Sequence, residues 1–172
     1  MIKPQRYFFS KVKNGFTLIE LMVVVTVIAV VSTVTVASFV SYSKQSALKQ
    51  ASLDVVSVLR DAKYRTQAQI KPLACGGILQ GYRVDICGLT SSTCPTVDTY
   101  TLTLVCSSGN STLVTKKLPS NIHFSNTGTT SVSYLFKVLT NGVIGAGVIA
   151  VSGYGSDTGT VTVGSGGTFT IQ

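Results

Sequence analysis

The side chains that could do chemistry are few and scattered. Cys75, Cys87, Cys94 and Cys106 are the only cysteines, and their spacings of 12, 7 and 12 contain no C-x₂-C pair of the kind that holds zinc. An even number of cysteines gathered beyond an apolar segment points instead to two disulfides in an oxidising compartment. His123 is the single histidine and lies in an Ile122-His123-Phe124 run that reads as a strand. With no partner visible beside it, it reads as structural rather than as a general base. Asp54, Asp61, Asp85, Asp98 and Asp157 are dispersed, without paired-carboxylate spacing. This inventory predicts no catalytic residues, no metal and no cofactor.

The sixth acid, Glu20, is the anomaly, because it sits just inside an apolar run with Gly15 shortly before it. An ionisable residue there costs on the order of 3 kcal/mol at mid-membrane and less near the interface. Two accounts are available: snorkelling to the interface, or a charge partner that offsets the desolvation.

The formal net charge is +8, which raises nucleic acid or an anionic membrane as partners. Four of the fourteen basic residues, Lys3, Arg6, Lys11 and Lys13, precede the apolar run; without them ten basic residues face six acidic ones, net +4. The remaining candidates for nucleic-acid contact are Lys116, Lys117 and Lys137. No Lys or Arg follows Lys137, and the Lys116-Lys117 pair reads as a solvated turn.

These residues are positioned by two kinds of element. From Leu21 to Val40 no residue is charged. Twenty residues of helix rise about 30 Å, the thickness of a bilayer's hydrocarbon core. The basic residues before the run place the N-terminus in the cytoplasm and the bulk of the chain outside. No Gly or Pro occurs between Gly15 and Pro72, and Leu48, Ala51, Val55, Val58, Leu59 and Ala62 form one stripe of an amphipathic helix. The spacing predicts one helix of roughly 55 residues, about 80 Å long, ended by Pro72. Asp61 and Arg65 have the favourable i,i+4 order.

Beyond Pro72 the pattern becomes β. Tyr82, Val84 and Ile86 alternate with Arg83 and Asp85, Thr99 to Cys106 alternates Thr with apolar residues, and further runs lie at 132–138, 148–151, 160–163 and 168–171. Gly164-Ser165-Gly166-Gly167 reads as a hairpin turn. The fold class is α+β, with a C-terminal antiparallel sheet packed on the apolar stripe of the helix. If the first two runs pair antiparallel, the start of one nears the end of the other. That geometry favours Cys75–Cys106 with Cys87–Cys94 over the patterns Cys75–Cys87/Cys94–Cys106 and Cys75–Cys94/Cys87–Cys106.

The junction Gly15-Phe16-Thr17-Leu18-Ile19-Glu20-Leu21 closely resembles the type IV prepilin signal, placed between a basic leader and an apolar helix. The resemblance implies cleavage between Gly15 and Phe16 by a membrane-embedded prepilin peptidase, N-methylation of Phe16, and pairing of Glu20 with the terminal amine of a neighbouring subunit. A looser resemblance to GspH/FimT-like pilins and pseudopilins rests on Leu59-Arg60-Asp61-Ala62, on Leu118-Pro119-Ser120-Asn121-Ile122-His123-Phe124, on Phe136 and on the Gly-rich tail. Many major pilins carry a proline in the membrane helix, and this chain has none.

The expected organisation is a leader at 1–15, a transmembrane helix at 16–41, its amphipathic continuation at 42–71 and an extracytoplasmic, β-rich, pilin-like domain at 72–172. The resemblance implies a structural subunit, with the inner membrane, the prepilin peptidase and sibling subunits of a type IV pilus or type II secretion filament as its partners. The alternative is a DNA-binding minor pilin. A membrane-anchored enzyme is the third and weakest reading.

Overall fold

The computed structural model describes residues 15–88, 96–125, 132–140, 142–155 and 157–172, and leaves the side chains of residues 33–37 undescribed. Among the described residues the helix α1 runs Leu18–Gln67 and is followed by the strands β1 Leu79–Cys87, β2 Thr99–Cys106, β3 Gly109–Lys117, β4 Ile122–Phe124, β5 Val132–Lys137, β6 Val143–Ile144, β7 Gly147–Gly153, β8 Asp157–Val163 and β9 Phe169–Ile171. The chain divides into two units, Met1–Ser41 and Tyr42–Gln172.

In the first unit α1 presents apolar side chains all round, and the described ones from Leu18 to Val31 are exposed. The hydroxyls of Thr26 and Ser32 are satisfied locally. Thr26 donates to the carbonyls of Val23 at 2.8 Å and Met22 at 3.1 Å, and Ser32 donates to Ile28 at 2.7 Å. Such back-bonding removes the desolvation cost that a free hydroxyl would carry on an apolar helix. Among the described residues no helix is long and apolar enough to cross a membrane. The run 21–40 expected to do so contains residues 33–37, whose side chains lie outside the description.

The second unit is built on the amphipathic part of α1. All six stripe residues, Leu48, Ala51, Val55, Val58, Leu59 and Ala62, are buried, with Val56, Ser52 and Thr66 beside them. They share one core with Tyr82, Val84 and Ile86 of β1, Tyr100, Leu102 and Leu104 of β2, Tyr134 and Phe136 of β5, and the inward residues of β7 and β8. Each buried Leu, Ile, Val or Tyr side chain contributes about 1.5–3 kcal/mol of hydrophobic free energy, offset by ordering entropy. Close approach of helix and strand is made at Gly159, where a Cβ would stand 3.0 Å from the Ser52 hydroxyl.

The strands form two antiparallel sheets rather than one: β3-β2-β1-β5-β6 and β4-β7-β8-β9. Two expectations about boundaries change. The helix stops at Gln67, before Pro72, because Gln69 takes a left-handed φ of 51°. The Ile70 amide then bonds to the Arg65 carbonyl at 3.0 Å and the Gln69 amide to Thr66 at 3.2 Å, the two bonds of a Schellman motif. Lys116 and Lys117 are also not in a turn. They close the edge strand β3, opposite Tyr100 and Thr99. The hairpin expected at 164–167 is present, with Gly167 at φ 68° and Lys63 Nζ donating to its carbonyl at 2.9 Å.

Candidate processing and assembly site

Residues 15–17 precede α1 and are not helical. Among the described residues, chain neighbours aside, nothing lies within 4 Å of the position a Cβ would take at Gly15, and Phe16 is 79% exposed. No described residue outside its chain neighbours therefore crowds the Gly15 side of the Gly15–Phe16 peptide. Thr17 ends this stretch. Its carbonyl accepts the Leu21 amide at 3.2 Å, the first α-helical bond, and its hydroxyl accepts the Glu20 amide at 3.3 Å. Thr17 is thus the N-cap and Glu20 the third helical residue, the T-x-x-E spacing of a capping box. That signal is present in the sequence, but it is masked by reading the junction only as a processing motif. Glu20 lies exposed in the first turn, where the helix dipole favours a negative charge by about 0.3–1 kcal/mol.

Cys75 and Cys106 are disulfide-bonded, with Cα atoms 5.8 Å apart. The pairing of β1 with β2 brings this about, since Leu79 stands opposite Cys106 and Cys87 opposite Thr99. Cys87 is also in a disulfide; Cys94, its expected partner, lies outside the described residues.

The three lysines considered for nucleic-acid contact do not converge. Lys117 is level with Thr99 and hence with Cys87 at one end of β1, whereas Lys137 is level with Gly81 at the other end. Six residues of strand put them about 20 Å apart along the sheet, before the lateral separation is counted. Lys116 faces Asp54 of α1 at 3.9 Å.

Two polar clusters escape sequence reading. His123, expected to lack a partner, has one: its Nδ1 lies 2.6 Å from Asp98 Oδ2, while Asp98 Oδ1 accepts the Phe124 amide at 3.1 Å. Asp98 also holds a left-handed φ of 57°. The second cluster centres on Asp85, buried on the side of β1 away from α1. It pairs with Arg83 Nε at 2.9 Å and accepts hydroxyls from Ser133 and Thr103. Arg83 and Asp85 share a face because they are two residues apart on a strand, which is the signal that could have linked them.

Among the described residues no group of three or more His, Cys, Asp or Glu is placed to hold a metal. A groove of about 530 Å³ in the second unit is lined by residues such as Tyr42, Leu48, Lys49, Thr158 and Ile171, with no acidic or histidine side chain among its described lining residues. Burial pushes the Tyr100 and Tyr134 hydroxyls up to about 12, with Asp54 adding to the effect at Tyr100. These are core tyrosines, and no reacting group adjoins them in the geometry described.

No curated protein and no solved structure matches the chain. Residues 10–36 match the family profile of the prokaryotic N-terminal methylation motif, which spans the Gly15–Phe16 peptide, the Thr17 cap and Glu20. The chain carries this N-terminal methylation motif, characteristic of type IV pilins and pseudopilins.

Proposed function

We propose that this chain is the precursor of a structural subunit, of the minor-pilin or pseudopilin kind, in an extracytoplasmic type IV pilus or type II secretion-type filament. The observation that carries the reading is the methylation motif at residues 10–36, which contains the Gly15–Phe16 peptide. A prepilin peptidase adds water across that amide, leaving a carboxylate on Gly15 and an amine on Phe16. The amine then takes a methyl group from a sulfonium donor and releases a proton. Before assembly the run 21–40 crosses the inner membrane with the N-terminus in the cytoplasm, a topology supported by the basic residues that precede it. In the filament, Glu20 pairs with the Phe16 amine of a neighbouring subunit, which offsets its desolvation and sets axial register.

A structural role is favoured over DNA capture because Lys116 and Lys117 stand at the opposite end of the sheet from Lys137. Mass spectrometry of the N-terminus in membrane and filament fractions tests the proposal. The expected product begins with methylated Phe16. A mature N-terminus beyond Val40 would identify an ordinary secretory signal and defeat it.

A further inference from the structure

We propose that Thr17 is a positioning residue for cleavage after Gly15: by capping α1 it keeps the Gly15–Phe16 peptide outside the helix. The inference rests on the processing reading above and adds to it a residue and a physical cause. A peptidase must reach the scissile carbonyl from an extended backbone. A peptide enclosed in a helical turn has its polar groups committed and its neighbours stacked against it, so it is cut only through local opening, at a rate that follows the opened population.

Here the helix begins at Leu18, two residues beyond the bond. At that start the Glu20 amide is shared between the Thr17 hydroxyl at 3.3 Å and the Thr17 carbonyl at 3.1 Å, and the same carbonyl accepts the Leu21 amide at 3.2 Å. Among the described residues, chain neighbours aside, none lies within 4 Å of the position a Cβ would take at Gly15, so the cap is the local contact seen at this helix start.

The sequence offers a competing start. Asn14 is as strong an N-cap residue type as Thr. A helix capped at Asn14 would have Gly15, Phe16 and Thr17 as its first three residues and would enclose the scissile peptide in its first turn. Glycine disfavours that longer helix, and Thr17 supplies the preference for the shorter one. Thr17 also stays in the mature chain, so its cap outlasts the leader.

The test is a time course of leader removal from the full-length precursor in membranes containing an active prepilin peptidase. Thr17→Ser and Thr17→Asn keep a capping oxygen; Thr17→Val keeps the shape of threonine without it. Cleavage within twofold of wild type is expected for Ser and Asn. A slowing of about fivefold, the equivalent of a typical lost N-cap, is expected for Val. Adding Asn14→Ala to Thr17→Val removes the competing cap and should restore most of the rate. The inference is overturned if Val is cut as fast as wild type, if Ser and Asn are slowed as much as Val, or if Asn14→Ala gives no recovery. If wild type is not cut between Gly15 and Phe16, the processing reading itself fails, which is a distinct result.

Discussion

Asp98 and His123 are joined at 2.6 Å across a gap of 25 residues, and the same carboxylate accepts the Phe124 amide through its other oxygen. Asp98 also donates its own amide to the Cys87 carbonyl and accepts the Leu118 amide, at 2.8 Å each. One residue therefore ties the end of β1, the segment after β3 and the strand β4. Asp98→Ala should destabilise the second unit by about 2–4 kcal/mol, because it strands a half-buried amide and places a Cβ-only residue at positive φ. Asp98→Asn, which tolerates that φ and keeps one acceptor, should cost less. Chemical denaturation of the full-length protein in detergent checks the order, and equal losses would show that the carboxylate charge dominates.

Glu20→Ala should leave membrane insertion intact and still lower incorporation into filaments. Removing the carboxylate lifts a membrane penalty, so insertion has no reason to fall. The pairing with the Phe16 amine of a neighbour is lost at the same time. Quantifying subunit in the membrane and in sheared filaments separates the two effects. Normal filament content in the mutant would remove the pairing role.

The Cys75–Cys106 disulfide closes a separation of 31 residues. On the chain-entropy model such a loop stabilises the fold by about 3–4 kcal/mol. Cys75→Ser with Cys106→Ser should lower the denaturation midpoint accordingly. Non-reducing peptide mapping should recover the 75–106 linkage, and a Cys75–Cys87 linked peptide would contradict the β1–β2 register.

Stability should fall between about pH 10 and 12. Tyr100 and Tyr134 ionise in the unfolded chain near 10.0 but only at about 12 when folded, because burial disfavours the phenolate. Tyr82 shifts in the same direction, first through desolvation. A raised folded value means the contribution is complete below the unfolded pKa and is lost as pH climbs through the folded one. At about 1.4 kcal/mol per unit, each of the first two tyrosines accounts for roughly 2–3 kcal/mol. Thermal melts from about pH 8 to about pH 12, followed together with the ultraviolet absorbance of tyrosinate, should show unfolding and ionisation together. A pH-independent melt would refute the assignment.

The apolar stripe of α1 was legible because no Gly or Pro interrupts it and its spacing is helical. The end of that helix was not, since the residue that turns left-handed is Gln69, a type that carries no stop signal. β3 escaped for a related reason. Its sequence, Gly109 to Lys117, is mostly polar, and as an edge strand it has little apolar alternation to betray it. The division into two sheets depends on pairings such as β1 with β5 and β4 with β7, between strands far apart in the chain. Local periodicity carries no information about such pairings. The Asp98–His123 pair is hidden by the same distance, whereas the Thr17–Glu20 cap lies within four residues and could be read directly.

The exposed edge of β3 has a consequence for crowding. Nine residues of strand at the margin of a sheet offer main-chain donors and acceptors to any other strand that approaches. Subunits concentrated on a membrane or along a filament would meet one another's edges constantly. The register shift opposite Leu102 and Thr103 bends that margin, and Lys116 and Lys117 charge its end. Charge on an edge strand disfavours side-by-side pairing of sheets.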